Sequence, residues 1–157
     1  MGVSESSYLA ALKARETGNL GPGSPALARG ATEFAADDER LVELARGILA
    51  SRRKLAERFD PALFANPGLD IMLFLFAAGV HGATVTTNAC CAAAGVPRTT
   101  ALRWIKLLQD RGMVQGSDDA TDRRVTMLAL TVQGRDTLRE WMSEVLAEHP
   151  IIADMRG

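Results

Sequence analysis

The amino-acid sequence predicts a mainly α-helical fold with a small β-hairpin, and three observations lead to this class. The chain has 157 residues, 47% of them hydrophobic, which is enough to bury the core of one domain. Apolar residues recur at helical spacing over most of residues 37–150. Two short apolar runs around a polar tip, the pattern of a β-hairpin, stand between the last two helices.

Composition excludes several classes of protein. The net charge of −1 gives no overall field that would attract a polyanion. Two adjacent cysteines, Cys90 and Cys91, cannot build a disulfide scaffold. The longest apolar stretch, residues 71–80, is about half as long as a membrane span, and the N-terminus lacks a signal-peptide pattern. We therefore expect a cytoplasmic protein with no membrane segment.

Nothing in the sequence indicates an enzyme or a metalloprotein. It contains no glycine-rich phosphate loop, no nucleophile elbow and no HExxH motif. His81 and His149 are far apart and lack a cysteine or carboxylate at ligand spacing, so we expect no metal and no cofactor. Cys90 and Cys91 are interpreted as small hydrophobic residues of a buried helix, with a redox switch as the alternative.

The elements begin after an N-terminal arm. Residues 4–17 could form a short helix, whereas residues 18–30 hold four glycines and two prolines and predict no regular structure. We expect residues 1–36 to be a flexible or docking arm. Residues 37–150 form the folded domain with its flanking helices in this prediction, and residues 151–157 form a tail.

Two helices are predicted to come next. The first covers residues 38–59, starts at Asp37 and Asp38 and ends at Asp60 and Pro61. A second helix over residues 69–80 is apolar on nearly all sides, which makes it the best candidate for the centre of the core. The first helix has a basic side that is interpreted as solvated, with contacts to phosphates or an acidic effector as the alternative: Arg52, Arg53, Lys54 and Arg58.

A helix-turn-helix and a wing are predicted after these two helices. A short strand over residues 84–86 leads into a helix of small residues, 88–94, capped by Thr86 or Thr87. The tight turn Gly95-Val96-Pro97 separates it from a strong helix over residues 98–111. Strands over residues 113–115 and 125–130, around the tip 116–124, form the hairpin. Thr131 then caps a final helix that Pro150 ends.

The helix that follows the tight turn has the pattern of a recognition helix in the major groove of DNA. Its apolar positions lie opposite a polar face that carries Thr99, Arg103 and Lys106. Its N-terminal residues Arg98, Thr99 and Thr100 would reach base edges, and Arg103 can pair with guanine. An ordinary surface helix with a solvated polar face is the alternative.

The tip of the predicted hairpin carries two arginines. Arg123 and Arg124 stand where a minor groove or a phosphate backbone would accept them. Asp122 is expected to orient one of them through a charge-assisted hydrogen bond. The two turn-linked helices, the arginine-bearing helix and the arginine-tipped wing together predict a winged helix-turn-helix that binds double-stranded DNA.

Two stretches resemble MarR-type transcriptional regulators. DATDRR (residues 119–124) precedes an apolar strand and LTVQG (residues 130–134), which is similar to the wing signature of that family. GVPRTTALRWI (residues 95–105) resembles its recognition region, and the resemblance covers roughly residues 41–146. It implies a homodimer on a pseudo-palindromic operator, usually a repressor released by a small phenolic or thioester ligand. It also implies residues for the major groove (Arg98, Thr99, Thr100 and Arg103) and for the minor groove (Arg123 or Arg124).

The first and last helices each carry an apolar stripe that a winged core would cover only in part. We therefore expect the two stripes to form the interface of a homodimer. Packing of both stripes on the chain's own core is the alternative. The residues expected at this interface are Leu41, Leu44, Ile48, Leu138, Trp141, Met142 and Val145.

The sequence therefore predicts a DNA-binding regulator, with two other functions left open. One is a winged-helix module that binds protein instead of DNA, which the modest charge and the acidic Asp110, Asp118 and Asp119 favour. The other makes ligand sensing the primary function, with a small-molecule effector in a pocket between the apolar helix 69–80 and the dimer helices.

Overall fold

The computed structural model describes residues 25–149, with side chains from residue 36 onward. A long helix, a single-turn helix and a central helix come first. A helix-turn-helix, a three-stranded sheet and a last helix follow, so the predicted order of elements is confirmed. The elements are α1 (Pro25–Ala56), α2 (Pro61–Phe64), α3 (Pro67–Val80), β1 (Val85–Thr86), α4 (Thr87–Ala93), α5 (Arg98–Asp110), β2 (Val114–Asp118), β3 (Thr126–Leu130) and α6 (Val132–Glu148).

Helix α1 begins at Pro25 and not near Asp37, so the prediction of an irregular segment is wrong for residues 25–30. Proline is favourable at the first helical position, where its missing N–H would have no partner in any case. Alanines follow it closely, and their high helix propensity outweighs the cost of about 1 kcal/mol for Gly30. The predicted short helix over residues 4–17 lies outside the described residues.

Helices α2 and α3 both begin with a proline directly after a capping side chain. The Asp60 carboxylate accepts a hydrogen bond from the N–H of Ala62 at 3.0 Å, and the Asn66 side chain accepts one from the N–H of Leu69 at 3.2 Å. Each cap satisfies a backbone donor that the first turn leaves without a helical partner. The Asp60 cap stabilises the single turn of α2, a helix that the sequence analysis did not predict.

Helix α3 lies at the centre of the molecule, as its apolar sequence predicts. Ile71 and Leu75 pack with α4, α5 and the sheet in one buried cluster. Leu73 and Phe76 pack with α1 and α6 in a second buried cluster. Each of these four side chains is at most 2% exposed, so α3 supplies the shared wall of two cores. Within the described residues, no helix combines the length and the apolar character that crossing a membrane requires.

An ion pair joins α1 to the first turn of α3. The Arg52 Nε donates to the Asp70 carboxylate at 2.5 Å, and its Nη2 donates to the Phe64 carbonyl at 3.1 Å. Asp70 is buried, and a buried carboxylate needs such a partner. The interpretation of this basic side as solvated is therefore wrong for Arg52, while Arg53, Lys54 and Arg58 are exposed.

Part of the predicted dimer interface lies inside the chain's own core. Leu41, Leu138 and Met142 are at most 7% exposed and belong to the cluster that covers α3. Their assignment to an interface between copies is wrong, because α3 already covers them. The accessible positions left on the two stripes are Leu44, Ile48, Trp141 and Val145.

The sheet is antiparallel, in the order β1-β3-β2. Val85 of β1 pairs with Leu128, and β2 pairs with β3 from Val114 opposite Leu130 to Asp118 opposite Thr126. The first hairpin strand therefore extends three residues closer to the tip than predicted, whereas the second begins one residue later, and the loop between them covers residues 119–125.

The junction between the sheet and α6 explains the spacing of the LTVQG motif. The Thr131 hydroxyl donates to the Gly112 carbonyl at 2.6 Å and accepts a hydrogen bond from the N–H of Gly134 at 3.0 Å. A Cβ at Gly134 would lie 2.3 Å from the carbonyl oxygen of Met113. Threonine caps the helix, and glycine lets its first turn approach the backbone that enters β2.

The close approach at Gly134 gives a test of this junction. Gly134→Ala should lower the free energy of unfolding by about 1–3 kcal/mol, because backbone must move to admit the methyl group. Chemical denaturation of the variant and the wild-type protein under the same conditions measures this change. Gly79→Ala in α3 is the control: its Cβ would meet nothing within 4 Å, so the higher helix propensity of alanine should leave stability unchanged or raised. Equal effects of the two substitutions would contradict this account.

Candidate nucleic-acid interface

Helices α4 and α5 form a tightly crossed helix-turn-helix. The Thr86 hydroxyl caps α4 by accepting a hydrogen bond from the N–H of Ala89 at 3.1 Å. Gly95, between the helices, has φ +66°, a left-handed conformation that glycine adopts without strain. Cys90 and Cys91 are buried where the helices approach. Small side chains at this crossing allow the short turn.

The two faces of α5 divide as predicted. Ala101, Ile105 and Leu108 are buried in the core beneath the helix. Trp104 lies beside them, and a Cβ added at Gly68 of α3 would be 3.0 Å from its ring. The outer face is polar and exposed, and its residues are Thr99, Arg103, Lys106 and Asp110.

Two of the α5 cations predicted to bind DNA are held by neighbours within the chain. The Arg98 guanidinium donates to the Asn88 side-chain oxygen at 2.5 Å, and the Lys106 ammonium donates to Asp110 at 2.6 Å. Arg103 is exposed, and within residues 36–149 the structure gives it no ion pair. Thr100 is half-buried, so it is the least accessible of the predicted set.

The first turn of α4 connects the recognition helix to the wing. Asn88 holds Arg98 of α5, and the hydroxyl of the adjacent Thr87 donates to the Thr126 carbonyl of β3 at 3.1 Å. The sequence analysis named Thr87 only as a possible cap of this helix and gave Asn88 no role in the site. Their position was a signal, because polar side chains and N–H groups at the start of a helix can face an anion.

The wing loop is organised by Asp119, which the sequence analysis did not select. Its carboxylate accepts hydrogen bonds from the Thr121 N–H at 2.7 Å, the Thr121 hydroxyl at 2.5 Å and the Asp122 N–H at 3.0 Å. These bonds hold the pKa of the Asp119 carboxyl below its usual range, with the Thr121 hydroxyl as the largest cause. The loop backbone also closes across Asp119 and Val125, whose N–H···O distance is 2.9 Å.

The arginines of the wing point into solvent. The Arg124 side chain is 92% exposed, and its Nε donates to the Asp122 carboxylate at 3.3 Å. This Nε contact is of the charge-assisted kind predicted for Asp122, which also accepts the backbone N–H of Arg124 at 3.0 Å. Arg123 is exposed beside them. Contact of either arginine with DNA stays a prediction.

The two cysteines are both buried, as expected for small hydrophobic residues of a packed helix. Burial, and secondarily the neighbouring Cys91, raises the pKa of the Cys90 thiol to about 12. A thiol with this pKa is almost entirely protonated at neutral pH and is therefore a poor nucleophile. The geometry therefore gives no support to a redox switch at Cys90.

Two solved structures of MepR from S. aureus are similar to this chain over the same region. MepR in its DNA-binding conformation has a TM-score of 0.50 and 17% sequence identity, with 73% of this chain and 83% of that chain covered. A MepR point mutant from a multidrug-resistant S. aureus clinical isolate has a TM-score of 0.50 and 18% identity, with 73% and 78% covered. The protein has the winged-helix fold of MarR-family regulators. No protein-family model and no curated protein matches the chain.

The predicted fold class is therefore confirmed, including the winged helix-turn-helix and the small hairpin. At this level of identity the likeness to MepR concerns the fold. A fold alone does not determine function, which depends on the outward-facing side chains of this chain.

The hydrogen bonds of Asp119 give a test of wing order. Its lowered pKa means that the ionised carboxylate favours the ordered loop at pH values above about 3.8, and that this contribution is lost as the pH falls through the lowered value. At neutral pH, Asp119→Ala should speed amide hydrogen exchange at Thr121 and Asp122 several-fold, measured by NMR. Asp119→Asn keeps an oxygen acceptor and should retain part of the protection. Unchanged exchange in the alanine variant would contradict the role of Asp119.

Proposed function

We propose that this protein is a sequence-specific DNA-binding transcriptional regulator that acts as a homodimer. The observation that carries this proposal is the linkage through the first turn of α4. Asn88 joins it to Arg98 of the recognition helix, and Thr87 joins it to Thr126 of the wing. Three elements that winged-helix proteins use against DNA are thereby fixed relative to one another, so a major groove and the adjacent backbone can be contacted together.

The chemistry of the outer face supports DNA as the partner. Arg103 is exposed in the first half of α5 and has the planar donor fork that matches the O6 and N7 acceptors of guanine. Thr99, one turn earlier, is also exposed and can donate to a phosphate or contact a thymine methyl group. Arg123 and Arg124 are exposed on the wing loop, where a minor groove or the phosphate backbone could accept them. The likeness to MepR in its DNA-binding conformation is consistent with this use of the fold.

The protein-interaction alternative is weakened by the way the acidic residues are used. Asp110 is paired with Lys106, and Asp119 is turned toward N–H groups of its own loop. Asp122 likewise bonds within the wing. A basic protein partner would have to compete with these internal cations and N–H donors for each of the three carboxylates.

The homodimer part of the proposal depends on apolar surface that the chain does not cover itself. Trp141 is 39% exposed on α6, although tryptophan is among the most strongly buried residues on average. Val145 follows one turn later, and Leu44 and Ile48 extend the apolar surface on α1. A two-fold dimer over these positions would present two recognition helices to a pseudo-palindromic operator.

Repression and release by a small ligand complete the proposal. A cavity of about 430 Å³ lies between the C-terminal half of α3, the sheet and the start of α6. Its volume is in the range of small-molecule sites, and its wall combines apolar Leu75 and Leu128 with two ion pairs, Arg135–Asp136 and Arg139–Asp38. A ligand with an apolar body and a polar group that replaces one of these ionic partners would suit such a wall. The cavity borders the central helix and α6, which supports the proposal of a ligand site there.

Loss of Arg103 tests the DNA-binding proposal. Arg103→Ala should weaken binding to the protein's own upstream DNA about 10- to 100-fold and relax the preference for guanine, because a bidentate base contact is worth about 1–3 kcal/mol. Fluorescence anisotropy across a salt series, with a scrambled duplex for comparison, measures both effects. Arg40→Ala, an exposed arginine on α1, is the matched control and should bind like the wild type. Equal binding of wild-type protein to both duplexes would reject the proposal.

Charge placed on the α6 stripe tests the homodimer. The double variant Trp141→Glu, Val145→Glu should sediment as a monomer in analytical ultracentrifugation, because a desolvated interface does not tolerate unpaired carboxylates. Its helical circular dichroism should stay unchanged, since Trp141 is exposed and Val145 only half-buried within the chain. Val132→Glu alters a residue that is 66% exposed on another side of the same helix and should leave the dimer intact. A wild-type monomer would contradict the proposal.

A further inference from the structure

The exposed N-terminal half of α5 is not uniformly polar. Arg98 is held by Asn88, and Lys106 lies two turns later and is held by Asp110. Between them an exposed leucine, Leu102, stands beside Arg103. Leu102 is 37% exposed and belongs to neither buried cluster, so the core of the chain does not account for it.

The direction of Leu102 can be compared with that of a second exposed leucine. With about 100° per residue, Leu102 lies about 60° from Thr99, on the side of Arg98. Leu107 is 40% exposed but lies about 80° from Thr99 in the other direction, toward Trp104, and in the C-terminal half of the helix. The N-terminal residues of a recognition helix are the ones that contact base edges. Leu102 is in the N-terminal half and lies about 40° from both Arg98 and Lys106, so it stands among residues predicted to contact DNA. Leu107 lies in the C-terminal half, between Arg103 and Asp110 in sequence, and is farther from the end that reaches base edges.

We propose that Leu102 is a specificity-determining residue that reads the C5-methyl group of a thymine. The major groove presents one apolar group among the four bases, the thymine methyl, and an exposed aliphatic side chain is complementary to it. This inference rests on the proposed DNA-binding function and names the class of operator that the protein selects.

The spacing of the side chains sets where the thymine must lie. Leu102 follows Thr99 by three residues, so these two side chains are neighbours about 5–6 Å apart on the helix surface. Arg103 is the next residue along the chain and leaves the helix about 100° around its axis, at nearly the same height. Bases follow one another at about 3.4 Å along a strand. A guanine read by Arg103 should therefore have a thymine within about two base pairs, on either strand, in each half-site.

The test is a double-mutant cycle across the interface, in which the thymine methyl group is removed from the DNA and the Leu102 side chain from the protein, separately and together. The probe is the tightest-binding duplex selected from a random library with the full chain, compared with the same duplex in which the half-site thymines are replaced by deoxyuridine. Wild-type protein should bind the deoxyuridine duplex about fourfold more weakly for each half-site, as expected for one buried methyl group. Leu102→Ala should bind both duplexes with the same reduced affinity.

Leu107→Ala is the matched control, because it truncates a leucine of similar exposure on the same helix. It should keep the full wild-type preference for thymine over deoxyuridine. Both leucines are on the surface, and circular dichroism should show both variants folded.

The outcomes separate this inference from the function on which it rests. Specific binding that weakens when the half-site guanine is replaced by 7-deazaguanine, together with equal affinity for thymine and deoxyuridine, would overturn the role of Leu102 and leave the regulator proposal standing. A selected site with no thymine within two base pairs of that guanine would overturn it in the same way. Failure to select any preferred duplex would overturn both. A thymine preference that Leu102→Ala abolishes and Leu107→Ala retains supports the inference.

Discussion

The structure depends on one constraint: α3 is apolar on almost all sides, so every face of it has to be covered. Nine of its residues are buried, and no single neighbouring element could cover them all. The helix-turn-helix and sheet pack on one side, and α1 with α6 pack on the other. Full burial of each large side chain stabilises the fold by about 1.5–3 kcal/mol, so α3 is the main reason that the two halves form one body.

Ionic contacts fix α1 relative to the rest of this body at several points along its length. Arg52 reaches Asp70 in the first turn of α3, and Glu39 lies 2.9 Å from the buried ring of His81 at the other end of α3. Asp38 of α1 accepts a hydrogen bond from Arg139 of α6. Because α3 also packs against Trp104 of α5 at Gly68, α1, α6 and the recognition helix share one supporting element. Close packing leaves little free space between these elements.

Local signals in the sequence were sufficient for most elements and for the face of the recognition helix. Periodicity separated Ala101 and Ile105 from Arg103 correctly, because a helix face is set by neighbours three and four residues away. The predictions that were wrong or incomplete concerned residues whose role depends on tertiary contacts. Leu41 and Met142 belong to stripes that α3 covers, and no local pattern says which neighbour covers a stripe. The role of Asp119 could not be separated from that of Asp122, because both are aspartates in one turn and the loop geometry decides which carboxylate meets the N–H groups.

The charge distribution explains how a chain of net charge −1 can present a surface suited to DNA. Three carboxylates near this surface have partners within the chain: Asp110 pairs with Lys106, Asp119 bonds within its own loop, and Asp122 pairs with Arg124. Arg103 is exposed, and among residues 36–149 the structure gives it no ion pair. Few phosphates can then be neutralised, so non-specific affinity and its dependence on salt should be modest. Under the proposed function, discrimination between DNA sequences comes from base edges, and the side chains at the N-terminal half of α5 then matter more than the total number of basic residues.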